Sequence, residues 1–429
     1  MLTFRAAVAL GATMLAPGAG PLESPGAESR PRVDALVVDA GLRQSLVAVR
    51  SLGRLGVSVA ALGASRDAPA FQSRWCLAHD VCGDPEGSDD YGDYLDRRLA
   101  AAPARVLIPS SDATIALLRR RRIHLERRTR LALASERALA VAVSKDRTLA
   151  VASALGITVP RQVVARSARD AAAAARDVGL PAVIKPDESW QERGGRRLVC
   201  ALVTTVEEAA CTLEALTTYG VPALVQQFLT GRREAISFIY SHGRMYARFA
   251  QVATRTCPPL GGESVLRQSV PLPSPAAEQA EELVRAIGLE GYSEVEFRYS
   301  ASGVPYLMEV NPRLSASVEV AVRAGVDFPR LLYQWARGSR IDVVRNYRTG
   351  LWMRNLAGDI MTTCAAFRDR GRPTTASPAR AVLDFGLTCL RPMAYDGLDW
   401  SDLRPAVAAA RGFARGIGRR VTGAMRARS

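Results

Sequence analysis

The two lysines of this sequence are the residues whose type and position point most directly to phosphate chemistry. Only Lys145 and Lys185 are lysines among the 57 basic side chains, and the rest are arginines. Lys185 ends the apolar run 182–184, and Gly194 and Gly195 follow it. A compact ammonium group that faces a glycine-bearing loop suits polyphosphate, because backbone N–H groups and the cation share the negative charge. The pattern predicts a phosphate site around Lys185.

A second group consists of oxygen ligands on a predicted hairpin. Glu296 lies on its first strand, Glu309 and Asn311 lie on its second, and Ser302-Gly303 supplies the turn. Alternation places Glu309 and Asn311 on one side of their strand, and the hairpin can bring Glu296 beside them. Such oxygens suit Mg²⁺ in a partly open site. Arg313 would face the same side and reach an anionic intermediate. The alternative is a solvated sheet edge.

The first third of the chain has the pattern of a doubly wound α/β domain. Short apolar runs alternate with helical patterns; the runs are 35–39, 57–62 and 106–108. Ligand loops often follow such strands, so Gly41, Ser110 and Asp112 are candidates for a substrate-binding edge, with caps and turns as the alternative. No GxGxxG follows Asp39, and we therefore expect no nicotinamide cofactor here.

Composition narrows the class of protein. The 429 residues carry a net charge of +15, and 48% of them are hydrophobic. This length predicts more than one domain, and no run approaches the roughly 18 apolar residues of a membrane span. Aromatic residues make up only 6%, with no zinc-finger or RNA-binding signature, so we expect arginine-rich surfaces and no nucleic-acid partner.

The cysteines and histidines exclude several kinds of site. The seven cysteines form no CxxC pair, and we expect reduced thiols. The three histidines share no metal-ligand spacing, which argues against a zinc site and a histidine-based triad. Any metal should therefore be bound by oxygen.

Both ends of the chain are biased in composition. Residues 1–20 have the weak outline of a secretory signal, and a mis-chosen start or a disordered leader over 1–31 is the favoured alternative. Residues 404–429 are rich in arginine and contain no acidic residue. This tail could contact an acidic membrane weakly as an amphipathic helix, or remain a solvated basic tail.

The order of these motifs resembles the ATP-grasp superfamily, in particular its carbamoyl-phosphate-synthase-like and biotin-carboxylase-like carboxylate–amine ligases. The resemblance covers about residues 33–345. The segments that carry it are Ser144-Lys145-Asp146, Val183-Ile184-Lys185-Pro186, Val225-Gln226-Gln227-Phe228-Leu229 with Gly231 and Glu234, Glu296, and Glu309-x-Asn311-x-Arg313. Their combination is far more specific than any one of them.

The resemblance implies an α/β protein with four parts. Residues 1–31 would be a leader or disordered segment, and 32–135 a Rossmann-like, pre-ATP-grasp domain. Residues 136–345 would form a two-lobed α+β ATP-grasp domain, with a smaller lobe over about 150–225 and a larger lobe over about 226–345. Residues 346–429 would be a C-terminal extension with the basic tail.

The resemblance also implies roles for individual residues. The cofactors would be ATP and Mg²⁺ or Mn²⁺. The ATP-binding residues would be Lys145 and Lys185 at the phosphates, Gln226, Gln227, Phe228 and Leu229 at adenine, and Glu234 near the nucleotide. The metal ligands would be Glu296, Glu309 and Asn311, and the catalytic arginines Arg313 and Arg267. Many relatives have an acid where Gln227 stands. Residues 187–197 would form a mobile lid, and the Pro/Gly-rich loop 255–267 would lie near the acyl substrate.

The implied reaction activates a small-molecule carboxylate as an acylphosphate, with release of ADP, and couples it to an amine. A cytoplasmic homodimer is the expected state. The alternative is a non-catalytic or regulatory nucleotide-binding protein with the same fold.

Overall fold

The structure is a computed structural model, which describes residues 32–83, 89–188, 190–191, 196–197, 200–217, 222–259, 261–272, 274–371 and 375–426. The predicted leader over 1–31 lies outside the described residues.

The first domain is a five-stranded parallel sheet whose order is β3-β2-β1-β4-β5. The strands are β1 (Val33–Val37), β2 (Val59–Gly63), β3 (Cys76–Val81), β4 (Ala104–Ile108) and β5 (Arg130–Leu131). The helices are α1 (Arg43–Arg54), α2 (Asp89–Ala101) and α3 (Asp112–Leu125), with a 3-10 turn at Pro69–Gln72. The strand order reverses at β1 and β4, where ligands bind in many sheets of this kind.

The first predicted strand is displaced by two residues. It was predicted to run from 35 to 39, whereas β1 ends at Val37. Asp39 has a positive φ of 61°, and its carboxylate accepts hydrogen bonds from the backbone N–H of Ser110 and the hydroxyl of Thr114. Asp39 therefore ties the loop after β1 to the loop after β4.

The small lobe is an antiparallel sheet in the order β10-β7-β11-β6. Its strands are β6 (Gln162–Ala165), β7 (Ala182–Pro186), β10 (Ala201–Val203) and β11 (Ala223–Gln227), and its helices α6 (Ala168–Val178) and α7 (Val206–Thr217). Helices α4 (Glu136–Ala142) and α5 (Lys145–Ala154) lead into it. Alanine-rich α6 packs on this sheet through a small core of its own. Within the predicted lid, β8 (Trp190–Gln191) pairs with β9 (Arg196–Arg197), and Gly194 and Gly195 lie outside the described residues.

The large lobe is a seven-stranded sheet in the order β16-β15-β12-β13-β14-β17-β18. Its strands are β12 (Arg233–Ser241), β13 (Arg244–Cys257), β14 (Glu263–Val270), β15 (Gly291–Tyr299), β16 (Pro305–Asn311), β17 (Trp352–Arg354) and β18 (Ala394–Tyr395). Helix α8 (Pro275–Ile287) packs on one face, and α9 (Glu319–Ala324) and α10 (Phe328–Ala336) pack on the other. The apolar residues on each face of this sheet belong to a hydrophobic core that continues into the first domain. Buried apolar contacts therefore link the large lobe to the first domain.

The segment predicted as a loop over 255–267 is the tip of the β13–β14 hairpin. Cys257 pairs with Glu263, and only residues 258–262 lie between the strands. A Cβ at Gly262 would lie 2.0 Å from the backbone of Cys257, so the turn requires glycine. Strand β14 begins at Glu263, inside the segment that was predicted as a loop.

The C-terminal extension is part of the large sheet. Strands β17 and β18 lie beyond the predicted boundary at residue 345 and continue the sheet from β14. Helices α11 (Leu356–Arg368), α12 (Pro378–Cys389) and α13 (Arg404–Arg426) complete this segment. Arg415 of α13 forms an ion pair of 3.0 Å with Asp67 of the first domain. Within the described part of the chain, no helix combines the length and apolarity that crossing a bilayer requires.

Candidate active site

The predicted oxygen ligands meet on one face of the large sheet. In the β15–β16 hairpin, Glu296 stands directly opposite Glu309, and Glu294 stands opposite Asn311. Opposed residues of antiparallel strands point to the same face. The amide Nδ2 of Asn311 lies 3.4 Å from Oε1 of Glu296. The structure therefore brings together Glu296, Glu309 and Asn311.

The two lysines approach this face from the other side of the cleft. Lys145 is the first residue of α5, Lys185 lies on β7, and they are 6% and 4% exposed. The Nζ of Lys145 donates to the carbonyl of Asp187 over 3.2 Å. The Nζ of Lys185 lies 3.5 Å from the carbonyl oxygen of Met308, the neighbour of Glu309. Lys185 thus reaches from the small lobe to the strand that carries the acids.

The charges of these residues are coupled. Burial alone would raise the pKa of Glu309, but the positive charges of Lys145, Lys185 and Arg233 outweigh it and lower the pKa. Burial lowers the pKa of Lys185, with the charge of Lys145 adding to the effect, while Glu309 and Glu296 oppose it. Acids and cations in this cleft therefore stabilise one another, and Glu309 remains ionised.

Arg233 is a member of the cluster that was not predicted. Its Nη2 donates to Oε1 of Glu296 over 2.7 Å. Burial raises the pKa of Glu296, and the charge of Glu309 adds to this although Arg233 opposes it. Two neighbouring carboxylates that repel each other gain from a shared cation. Ala235 of β12 pairs with Glu296 and points to the same face of the sheet. Arg233 lies two residues before Ala235 in the same strand, and it therefore points to that face as well.

The donor set fits Mg²⁺ that is completed by a nucleotide. Among the described residues, no three His, Cys, Asp or Glu side chains form a group able to hold a metal by themselves. Two carboxylates and one amide oxygen leave coordination positions for phosphate oxygens and water, which is the arrangement that Mg²⁺ favours over an all-protein cage. Glu296, Glu309 and Asn311 are the residues that could hold it.

Glu294 is a further acid that was not predicted. It is buried, and burial, together with the charge of Glu296, raises its pKa to about 7. Its Oε2 accepts a hydrogen bond of 3.2 Å from Gln251 and lies 3.5 Å from the hydroxyl of Ser237. The alternation of Glu294 and Glu296 in the sequence was a signal for a second acid on this face.

Arg313 lies where the large lobe meets the first domain. Its Nε and Nη2 donate to the two carboxylate oxygens of Asp112 over 2.6 and 2.9 Å. Burial would lower the pKa of Arg313, but this ion pair outweighs the effect and raises it. Asp112 begins α3 at the end of β4, so the predicted substrate edge of the first domain faces the predicted catalytic arginine.

The structure does not bring Arg267 or Glu234 to the acids. Arg267 is fully buried, and both of its Nη atoms donate to Asp396 of the C-terminal extension. Glu234 is buried on the opposite face of β12, where it accepts hydrogen bonds from Ser274 over 2.9 Å and from Tyr299 over 2.7 Å. Neither residue belongs to the acid and lysine cluster as it stands.

The predicted adenine segment connects the two lobes. Gln226 and Gln227 end β11, and Phe228 and Leu229 lead toward β12. The backbone N–H of Gln227 donates to the carbonyl of Arg161 over 2.9 Å. The segment therefore spans the hinge between the lobes, and its contact with adenine stays a prediction.

Comparison with solved structures shows which proteins share this fold. A Campylobacter jejuni biotin carboxylase in complex with βγ-ATP superposes with a TM-score of 0.60 at 16% identity, over 75% of this chain and 74% of that one. A Staphylococcus aureus N5-carboxyaminoimidazole synthetase complexed with ADP gives 0.60 at 13% identity, over 84% and 98%. The biotin carboxylase domain dimer of a Hydrogenobacter thermophilus 2-oxoglutarate carboxylase, solved with MgADP, gives 0.60 at 14% identity, over 75% and 73%.

Curated proteins match the chain over part of their length. A D-alanine–D-alanine ligase from Geobacter sulfurreducens is 27% identical over 204 residues, which are 42% of this chain and 60% of the relative. A carbamoyl phosphate synthase large chain from Methanoculleus marisnigri is 28% identical over 210 residues, 46% of this chain and 19% of the relative. The chain thus spans less than two thirds of the length of either relative.

These matches confirm the resemblance to the ATP-grasp family that the motifs indicated. The matching family model is described as ATP-grasp in the biosynthetic pathway with Ter operon, and it covers residues 221–358. This range contains the strands that bear Glu296, Glu309 and Arg233, and it extends into the C-terminal segment through β17.

Proposed function

We propose that this protein is an ATP- and Mg²⁺-dependent ligase that joins a small-molecule carboxylate to an amine and releases ADP and phosphate. The observation that carries the proposal is the pair of the buried Glu296 and the half-buried Glu309, faced by the buried Lys145 and Lys185 across the cleft. The ligases and the MgADP-bound neighbour among the matched proteins support the same reading.

The residues would perform mostly electrostatic work. The lysines would bind the phosphates, the 226–229 backbone would bind adenine, and Glu296, Glu309 and Asn311 would hold Mg²⁺. The bound metal would neutralise charge on the phosphates during transfer. Arg313, held by Asp112, would orient the carboxylate and stabilise charge on the acyl oxygens. A homodimer and a closing role for 187–197 remain parts of this proposal.

The reaction has two balanced steps. A carboxylate oxygen attacks the γ-phosphorus of ATP, the bond to the β-phosphate oxygen breaks, and ADP leaves. The amine nitrogen then attacks the acyl carbon, the bond to the phosphate oxygen breaks, inorganic phosphate leaves, and the amine gives up a proton to solvent water. Neither step requires a nucleophilic side chain, which agrees with the lack of a histidine among the cluster residues described above.

The test is ADP release from paired pools of carboxylates and amines, with Glu309→Gln as the variant. We expect the variant to lose at least about 100-fold in turnover, because it removes a metal ligand and a fixed charge, while circular dichroism shows an unchanged fold. Unchanged turnover would contradict the proposal. Tight MgATP binding by the natural chain without turnover on any pool would favour a non-catalytic nucleotide-binding protein instead.

A further inference from the structure

Arg43 joins three parts of the molecule beside the proposed active site. It is the first residue of α1, at the carboxyl edge of the first-domain sheet. Its Nη1 donates to Asp396 of the C-terminal extension over 2.5 Å, and its Nη2 donates to Glu263 at the β13–β14 hairpin tip over 2.6 Å. The guanidinium group is therefore held between two acids from different segments.

The two acids are held very differently. The side chain of Asp396 is 5% exposed and also binds the fully buried Arg267, so it is fixed from behind. The side chain of Glu263 is 43% exposed and lies next to the turn of its hairpin. One side of the Arg43 guanidinium is thus anchored, and the other meets a partner that can exchange with solvent and solutes.

Glu263 also connects Arg43 to the reaction centre. Its charge acts on Arg313 as well and helps to keep the pKa of that arginine high. Arg313 is two residues from Asn311 and is bound to Asp112. The carbonyl of Gly262, the residue before Glu263, accepts a hydrogen bond from Arg233, which also donates to Glu296. Glu263 therefore lies one residue from a contact with the proposed metal site.

The local charge balance favours an anion at the position of Glu263. Arg43 and Arg267 carry two positive charges, and Asp396 supplies one fixed negative charge. Helix α1 has no side-chain cap at its N-terminus and no acidic residue in its first turn, so its free amides add positive potential. A Cβ on the exposed Gly41 would meet no described atom within 4 Å, which leaves room for a ligand group.

We propose that Arg43 binds a second anionic group of the acyl substrate, which takes the place of Glu263. The substrate class is then a carboxylic acid that bears a further carboxylate or phosphate. One end is activated beside Arg313, and the other is bound by Arg43, which Asp396 positions. This inference rests on the proposed ligase function and narrows its substrate.

The experiment compares the full-length protein with Arg43→Gln, Arg43→Lys and a control, Arg54→Gln. Arg54 lies on the same helix and pairs with Asp399 at the surface. Each variant is titrated with matched acids, namely succinate against butyrate, glutarate against valerate, glutamate against glutamine, and 3-phosphoglycerate against glycerate. Binding is read as thermal stabilisation in the presence of Mg²⁺ and a non-hydrolysable ATP analogue, and turnover as ADP release with an amine pool.

We expect at least one dianionic acid to stabilise the natural chain far more than its monoanionic match. Arg43→Gln should weaken that binding about tenfold or more, since it removes charge-assisted hydrogen bonds. Arg43→Lys should recover part of the loss, and Arg54→Gln should bind like the natural chain. The acid that binds most tightly shows whether the second anionic group of the substrate is a carboxylate or a phosphate.

Three results would overturn the inference. They are a preference for monoanionic acids, an absence of stabilisation by every dianionic acid, and an Arg43→Gln variant that binds dianions normally. Binding of a dianion that depends on Arg43 but gives no ADP would refute the ligase function and leave the anion site standing. ADP formation with monoanionic acids alone would support the ligase function and refute the anion site at Arg43.

Discussion

Lysine and arginine occupy different kinds of position in this molecule. Arginine provides charge at the surface and in buried ion pairs, such as Arg267 with Asp396. Lysine occurs only at two buried positions in the cleft, Lys145 and Lys185. A guanidinium group is planar and larger, and it binds in a fork, whereas an ammonium group is a compact point charge that fits among crowded phosphate oxygens.

This division predicts the outcome of conservative substitutions. Lys145→Arg and Lys185→Arg should each weaken MgATP binding about tenfold or more, because a larger cation must enter a packed site. Isothermal titration calorimetry measures the change directly. Arg147→Lys, an exposed position on the same helix as Lys145, is the control and should keep the natural affinity. Natural affinity in both lysine variants would show that the placement of the two lysines is a coincidence.

Residues of the site differed in how far sequence could predict them. Glu309 and Asn311 follow from alternation within one strand, and Glu296 follows from one short hairpin. Arg233 enters only through the pairing of β12 with β15, whose segments are separated in the chain by two other strands. The face of the sheet on which Arg233 lies depends on the register of β12 against β15, and the alternation of residues within one strand does not determine that register.

At the scale of elements, the C-terminal segment is bound to the first domain through Asp402. Its carboxylate accepts hydrogen bonds from Arg50 over 2.9 Å, from Ser73 over 2.7 Å and from the backbone N–H of Arg74 over 3.0 Å. Burial would raise the pKa of Asp402, but these hydrogen bonds and the charge of Arg50 outweigh it and lower the pKa. This contact fixes the position of the loop that also carries Asp396.

We expect Asp402→Asn to destabilise the protein by about 3 kcal/mol or more, because it leaves the buried Arg50 without its counter-charge. Urea unfolding at neutral pH measures the loss. Asp399→Asn, at the more exposed pair with Arg54, is the matched control and should cost less than about 1 kcal/mol. Equal losses in both variants would contradict the structural role of Asp402.

The pKa of Asp402 also predicts a dependence on pH. Because its folded-state pKa is lowered below 3.8, its contribution to stability is complete above that pH and is lost as the pH falls through the folded-state value. The difference in unfolding free energy between the natural chain and Asp402→Asn should therefore shrink below about pH 3.8. Unfolding curves over a pH series test this, and a constant difference would contradict it.

At the scale of the whole molecule, the C-terminal extension completes the large sheet. Ending the chain after Gly350 would remove β17 and β18, expose the edge of β14, and leave Arg267 buried without Asp396. We expect that variant to aggregate or to unfold at a much lower temperature. Ending the chain after Leu403 removes only α13, and this shorter chain should keep its fold and its ADP release. Differential scanning calorimetry and an ADP assay distinguish the two truncations.

The opposite result would be equally informative. A stable and active chain that ends at Gly350 would show that the extension is dispensable, and an inactive chain that ends at Leu403 would give α13 a role beyond its contact with Asp67. Sedimentation with acidic liposomes, which compares the full-length chain with the chain that ends at Leu403, tests the predicted membrane contact of the tail.

The sequence by itself determined the local and periodic features of this protein. These are the alternation that presents Glu309 and Asn311, the strand that delivers Lys185, and the motif order that indicates the family. Tertiary structure alone decided which distant charges meet, as in Arg313 with Asp112 and Arg43 with Glu263 and Asp396. The physical reason is that spacing along the chain fixes the face of a single element, whereas the meeting of two elements depends on sheet register and packing.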